Sequence, residues 1–245
     1  MYRANCRLNT CSNLSISKFQ HSMRTHTKEF QENLTPEQAF EVLKEGNKRF
    51  TNNMKVNRDL LRQMDETAAG QYPFAVVLSC MDSRTSVELI FDQGLGDIFS
   101  IRIAGNVVND DIIGSMEYAC AVAGSKLVVV LGHTRCGAVK GACDHVSLGN
   151  LTNLLGKISP SLEKTAAAKD SISKEEYVEV VAQANVLHSM DDILSKSPIL
   201  RDLFNNGKIG IVGGMYSVEN GRVNFIRSEF AGVKTNVRVE AATAI

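Results

Sequence analysis

The 245-residue sequence carries no excess of either charge, because 27 Lys and Arg balance 27 Asp and Glu. A nucleic-acid-binding face needs a clustered basic surplus, and none is present. Nor is there an apolar run near the ~18 residues of a membrane span. The first 30 residues hold no continuous apolar stretch, so no secretory signal is visible. Six cysteines in a chain of this length do not make a disulfide scaffold. The default setting is therefore intracellular and reducing, with a cytoplasmic location. There, cysteines serve as buried filler, metal ligands or nucleophiles.

What is present is 44% hydrophobic and 22% charged residues, the balance of a soluble globular protein. The length suits one α/β domain with a sizeable core. Residues 1–33 are polar and basic, and the first acid is Glu29. They read as a flexible tail, with an organellar targeting segment as the alternative. Cys6 and Cys11 lie in that tail and carry no role. The domain is expected over 34–245. Order is expected from Thr35-Pro36-Glu37-Gln38, where Thr caps, Pro suits the first helical position and Gln closes a capping box. Phe40, Leu43 and Phe50 then recur at helical spacing and predict a helix to about residue 50.

Apolar runs at 74–78, 98–103, 127–131 and 209–212, the second made less uniform by Ser100 and Arg102, suit strands buried on both faces of a parallel sheet. Helical stretches are expected between them, at about 85–92, 111–124, 137–147 and across 150–197. That alternation predicts an α/β fold with a central mostly parallel sheet, flanking helices and an N-terminal helical arm. The sheet would hold four parallel strands, and 223–226 would add an edge strand after the Glu219-Asn220-Gly221 turn.

Two segments carry chemistry. Ser79-Cys80-Met81-Asp82-Ser83-Arg84 follows the first strand, and Gly132-His133-Thr134-Arg135-Cys136-Gly137 follows the third. Ligands of open parallel sheets bind beyond the carboxyl ends of the strands. If those two strands are neighbours, Cys80, His133 and Cys136 meet in one crevice. Two thiolates and an imidazole favour zinc, and three protein ligands leave a catalytic position open. The bland alternative is buried cysteine filler beside a chance His-x-x-Cys. Asp82 and Arg84 are spaced to pair, either as a surface ion pair or as a device that orients a metal-bound water.

Cys80-x-Asp82-x-Arg84 followed by His133-x-x-Cys136 resembles the signature of the β-class carbonic anhydrases. The resemblance covers roughly residues 35–230 and includes Ala104-Gly105-Asn106 and Gly114-Ser115-x-Glu117-Tyr118. It implies one Zn2+ per subunit and reversible hydration of carbon dioxide to bicarbonate and a proton by a zinc-bound hydroxide. It implies Asp82 and Arg84 as catalytic residues and a substrate pocket of Gln71, Phe99, Ala104, Tyr118 and the Gly137 backbone. The Gln, Phe and Tyr positions, in a chain without tryptophan, match the plant-like site type with an open zinc. The family forms dimers or tetramers whose pockets are shared between subunits, so a homodimer or homotetramer is implied. Cys120 and Cys143 match no family ligand. His145 and His188 are candidates for proton transfer, with ordinary surface or helix roles as the alternative. Two other functions stay open: hydrolysis of carbonyl sulfide or carbon disulfide, and a closed, non-catalytic zinc module with Asp82 as fourth ligand.

Overall fold

The computed structural model describes residues 25–231 and the backbone of 233–235. The expectation of a targeting segment falls mainly on residues 1–24, outside the described residues. Order begins earlier than the composition suggested. Helix α1, Lys28–Asn33, is capped by Thr27, and its Gln31 is buried and donates to the carbonyls of Pro73 and Ala123 at 2.7 and 2.8 Å. A basic, acid-poor stretch reads as a tail, but one buried amide with two carbonyl partners fixes its final turn.

Helix α2, Pro36–Thr51, has the expected capping box, with Thr35 and Gln38 satisfying each other's amides. Its inward face is Ala39 and Leu43, and Phe40 packs edge-on against Phe225 at 4.6 Å. A short helix that the sequence did not suggest, α3 (Leu60–Thr67), follows. The chain then alternates β1 (Ala75–Ser79), α4 (Val87–Ile90), β2 (Ile98–Arg102), α5 (Asp110–Glu117) and β3 (Leu127–His133). A π-helical stretch, Tyr118–Val122, prolongs α5. Beyond β3 come α6 (Gly137–Cys143), α7 (Gly149–Gly156), α8 (Ser159–Thr165), α9 (Lys174–Lys196) and α10 (Pro198–Asn205), so the expected helical region of 150–197 is several helices. Strands β4 (Gly210–Tyr216), β5 (Val223–Phe230) and β6 (Val233–Thr235) close the order.

The sheet runs β2-β1-β3-β4-β5-β6, with the first four strands parallel. β5 and β6 are antiparallel, so the expected edge strand β5 is longer than foreseen and carries a short sixth strand outside it. Alternate residues of β1 and β3 feed two different cores. Val76, Leu78, Val128 and Val130 meet α5, α6 and α9, whereas Ala75, Val77, Leu127 and Val129 meet α2 and α4. Burial on both faces explains why these strands are uniformly apolar. β1 lies beside β3, and its last residue, Ser79, pairs with Leu131, two residues before the end of β3 at His133.

Candidate metal centre

Each side chain of the cluster stands where a buried strand gives way to a turn. Cys80 follows β1, His133 ends β3, and Cys136 precedes α6. All three are nearly closed to solvent, at 4%, 1% and 1% exposure, and their donor atoms lie within 4.8 Å of one another. The turn between the two β3-side ligands is tight because Arg135 takes a left-handed backbone, φ +55°. The Arg135 amide donates to Glu179 at 2.7 Å, and its side chain also pairs with Glu219. Thr134 is held across β4 and the turn after it, through Thr134 N to Tyr216 O at 2.9 Å and Val218 N to Thr134 Oγ1 at 3.1 Å.

The donor set fits a zinc ion on three counts. The two sulfurs are 3.9 Å apart, against about 3.8 Å for two sulfurs each ~2.3 Å from one tetrahedral ion. His133 Nδ1 is 2.9 Å from the Thr134 carbonyl, which favours the tautomer with a lone pair on Nε2. His133 Nε2 itself is buried with no hydrogen-bond partner, a costly state that a metal bond would relieve.

The sulfurs are electrostatically unequal. A hydrogen bond from Cys136 holds the Cys80 thiol far below the ordinary thiol range, at about 4, with help from the Gly105 amide. The same contact, reinforced by burial, pushes Cys136 up. One proton of the pair leaves easily and the second resists, so full ionisation calls for the countercharge a cation brings. Cys120, by contrast, is pushed up to about 12 by burial alone, and burial raises Cys143 as well. Both behave as filler, in line with the sequence.

Asp82 sits beside the cluster and is gripped by Arg84. Arg84 Nε reaches Asp82 Oδ1 at 2.9 Å, Nη2 reaches Oδ2 at 2.7 Å, and the Arg84 amide adds a bond of 3.0 Å. The Arg84 guanidinium holds the Asp82 carboxyl well below the usual carboxylate range. Two further residues brace this loop. Thr85 Oγ1 donates to the carbonyls of Cys80 and Asp82 at 2.8 and 2.9 Å, and Arg102 donates to the same two at 3.3 and 2.5 Å. Arg102 had shown in the sequence only as an irregularity in an otherwise apolar strand.

The pocket residues divide into two groups. Ala104 and Gly137 lie at the cluster: the Ala104–Asn106 turn places the Gly105 amide 3.3 Å from Cys80 Sγ, and apart from its chain neighbours and its own helix backbone nothing lies within 4 Å of where a Gly137 Cβ would stand. Gln71, Phe99 and Tyr118 are not brought there within one subunit. Phe99 pairs with Val76, four residues before Cys80, or about 13 Å back along the strand. Tyr118 packs edge-on against Phe99 at 6.2 Å, and Gln71 is exposed beyond the other end of β1, near Gly96. Of the two histidines named for proton transfer, His188 lies 3.9 Å from Asp192 of its own helix, and His145 lines a separate cavity with Leu155 and Leu162.

The sequence profile of the family described as "Carbonic anhydrase" matches residues 75–223. Carbonic anhydrase 2 of Mycobacterium tuberculosis is 35% identical over 198 residues, covering 78% of this chain and 92% of its own. The structure of the β-carbonic anhydrase CafA of Aspergillus fumigatus matches with TM-score 0.62 and 30% identity, over 66% of this chain and 79% of that one. A structure from work on two tetrameric β-carbonic anhydrases of Sordaria macrospora matches with TM-score 0.63 and 27% identity, over 70% and 87%.

Proposed function

The chain belongs to the carbonic anhydrase family, in its β class, and on that premise we propose how its own residues carry the reversible hydration of carbon dioxide to bicarbonate and a proton. Cys80, His133 and Cys136 hold one zinc ion. The single observation that carries this is a buried, partnerless His133 Nε2 facing two sulfurs at zinc-ligand separation. When bound, zinc lowers the pKa of a coordinated water toward 7.

The protein groups around that site have separable tasks. The Thr134 carbonyl fixes the His133 ring. Asp82 accepts a hydrogen bond from the nucleophilic water and aims its lone pair at carbon. Arg84 fixes the Asp82 rotamer and keeps the carboxylate away from the metal, which supports an open site over a closed zinc module. Ala104 and the open face above Gly137 leave room for a small uncharged substrate. An amide of the Gly137 turn offers a donor to the oxygens of the forming bicarbonate.

Gln71, Phe99 and Tyr118 complete the pocket from a second copy of the chain. Their position near the start of β2, far from their own subunit's cluster, supports this, as does the tetrameric state of the Sordaria macrospora relatives. The active unit is then at least a homodimer.

Metal content and stopped-flow hydration of Cys80→Ser test the metal assignment. Loss of zinc and of hydration together is the expected result. Full hydration by a zinc-free Cys80→Ser protein refutes it.

A further inference from the structure

We propose that Asn185, on α9, is a positioning residue for the metal centre: its buried amide fixes the Gly105 peptide so that the Gly105 N–H donates to Cys80 Sγ. The inference rests on Cys80 being a metal ligand.

Asn185 is 1% exposed on a helix face whose other buried members include Val181, Ala182, Val186 and Met190. A buried amide is costly unless bonded, and an aliphatic side chain would fill the space more cheaply. Its Nδ2 donates to the Gly105 carbonyl at 2.8 Å. One helical turn on, Ser189 Oγ donates to the Asn106 carbonyl at 3.2 Å. Residues four apart share a helix face, so α9 presents two donors to two successive carbonyls of one turn.

That turn needs holding. Gly105 and Asn106 both take left-handed backbone, φ +69° and +44°. A Cβ at Gly105 would stand 3.0 Å from Ile158 Cδ1 and 3.3 Å from Ala138 Cβ, so only glycine brings this backbone so close. The product of the strain is the Gly105 amide, 3.3 Å from Cys80 Sγ. An N–H donated to a thiolate is charge-assisted and draws electron density from the sulfur. Cys80 then donates less to its cation, and the cation keeps more of its acidity. A chain of contacts thus runs from Asn185 Nδ2 to the Gly105 carbonyl, and from the Gly105 N–H to the metal-ligating sulfur.

Heteronuclear magnetic resonance on the full-length, isotope-labelled protein loaded with cadmium-113 tests each link without a variant. The expected result is a scalar coupling between the Gly105 amide proton and cadmium across Cys80 Sγ, and a through-hydrogen-bond coupling between Asn185 Nδ2 and the Gly105 carbonyl carbon. If the Cys80 β-protons couple to cadmium while either of those couplings is missing, the inference is overturned and the metal assignment stands. If the Cys80 β-protons show no coupling, the metal assignment fails and takes the inference with it. In cobalt-substituted Asn185→Asp, where the amide donor becomes an acceptor, the thiolate-to-cobalt charge-transfer band is expected at longer wavelength than in the parent. Val181→Ala removes buried volume from the same helix but no hydrogen bond to the turn, and should leave the band in place. Equal band shifts in the two variants would mean general loosening and would overturn the proposal.

Discussion

Asp82 has two carboxylate oxygens, and Arg84 binds both. That geometry leaves the carboxylate ionised and fixed in direction, which is what aiming a water molecule requires. Asp82→Asn keeps the shape but removes the charge and weakens the grip of Arg84. We expect it to retain zinc and to lose about 100-fold in hydration kcat/KM, the scale of a misaimed reactant. An unchanged stopped-flow rate would remove Asp82 from the mechanism. That Cys80, His133 and Cys136 would meet, and that Asp82 and Arg84 would pair, was legible in the sequence because each lies at or just past the end of an apolar run whose burial is easily read. The Gly105 amide was legible only as part of a motif. Asn185 was not legible, since a polar residue on a long helix looks solvent-facing until the helix is docked against the Ala104–Asn106 turn.

Among the elements, α2 is held by more than its apolar face. Asp92, 2% exposed at its side chain and in left-handed backbone just after α4, meets Arg49 of α2 and Arg58 before α3, each at 2.5 Å. Burial pushes the Asp92 carboxyl up, but Arg49, Arg58 and the Val56 amide outweigh it and hold it below its ordinary value. A lowered folded value means that the stabilisation is present above about pH 4 and is lost as pH falls through the folded value. Asp92→Asn strands two arginines, and we expect it to cost about 3 kcal/mol at pH 7 by urea unfolding. The gap to the parent protein should narrow on acidification below pH 4. A gap independent of pH would contradict this reading. None of this was visible in the sequence, because an ion triad joining three distant segments has no local spacing. Helix α2 itself was legible, since its capping box and apolar period are local. Helices α1 and α3 were missed because they have only six and eight residues, too short for a period to declare itself.

For the whole molecule, the exposed apolar residues bear on assembly only once the sheet order is seen. The outer edge of β2 is the end of the sheet order, and around it Leu89, Leu95, Tyr118 and Val122 are 57%, 45%, 56% and 71% exposed. Phe99 and Tyr118 belong to that surface, not to their own subunit's cluster. Burial of this surface by a second copy would cover the apolar side chains and complete two pockets at once. Val122→Glu replaces neither a residue of the metal cluster nor one of the pocket. In sedimentation velocity it is expected to shift the protein toward monomer, and hydration per chain should fall while zinc content holds. Monomers with undiminished activity would show that one subunit suffices. The parallel sheet and the site at its carboxyl ends were readable from alternation of strand and helix. Phe99 at the amino end of its strand was readable too; that Tyr118 packs against it was not, because a contact between separate segments leaves no local spacing.

The shell around the metal decides between an open site and a closed one. Zinc-edge X-ray absorption of the full-length protein measures that directly. It should show one zinc with two sulfurs at about 2.3 Å, one imidazole nitrogen at about 2.0–2.1 Å and one further light atom. That light atom should be unaffected by Asp82→Asn. A shell of four protein donors including Asp82, or no zinc in a protein that still hydrates carbon dioxide, would contradict it.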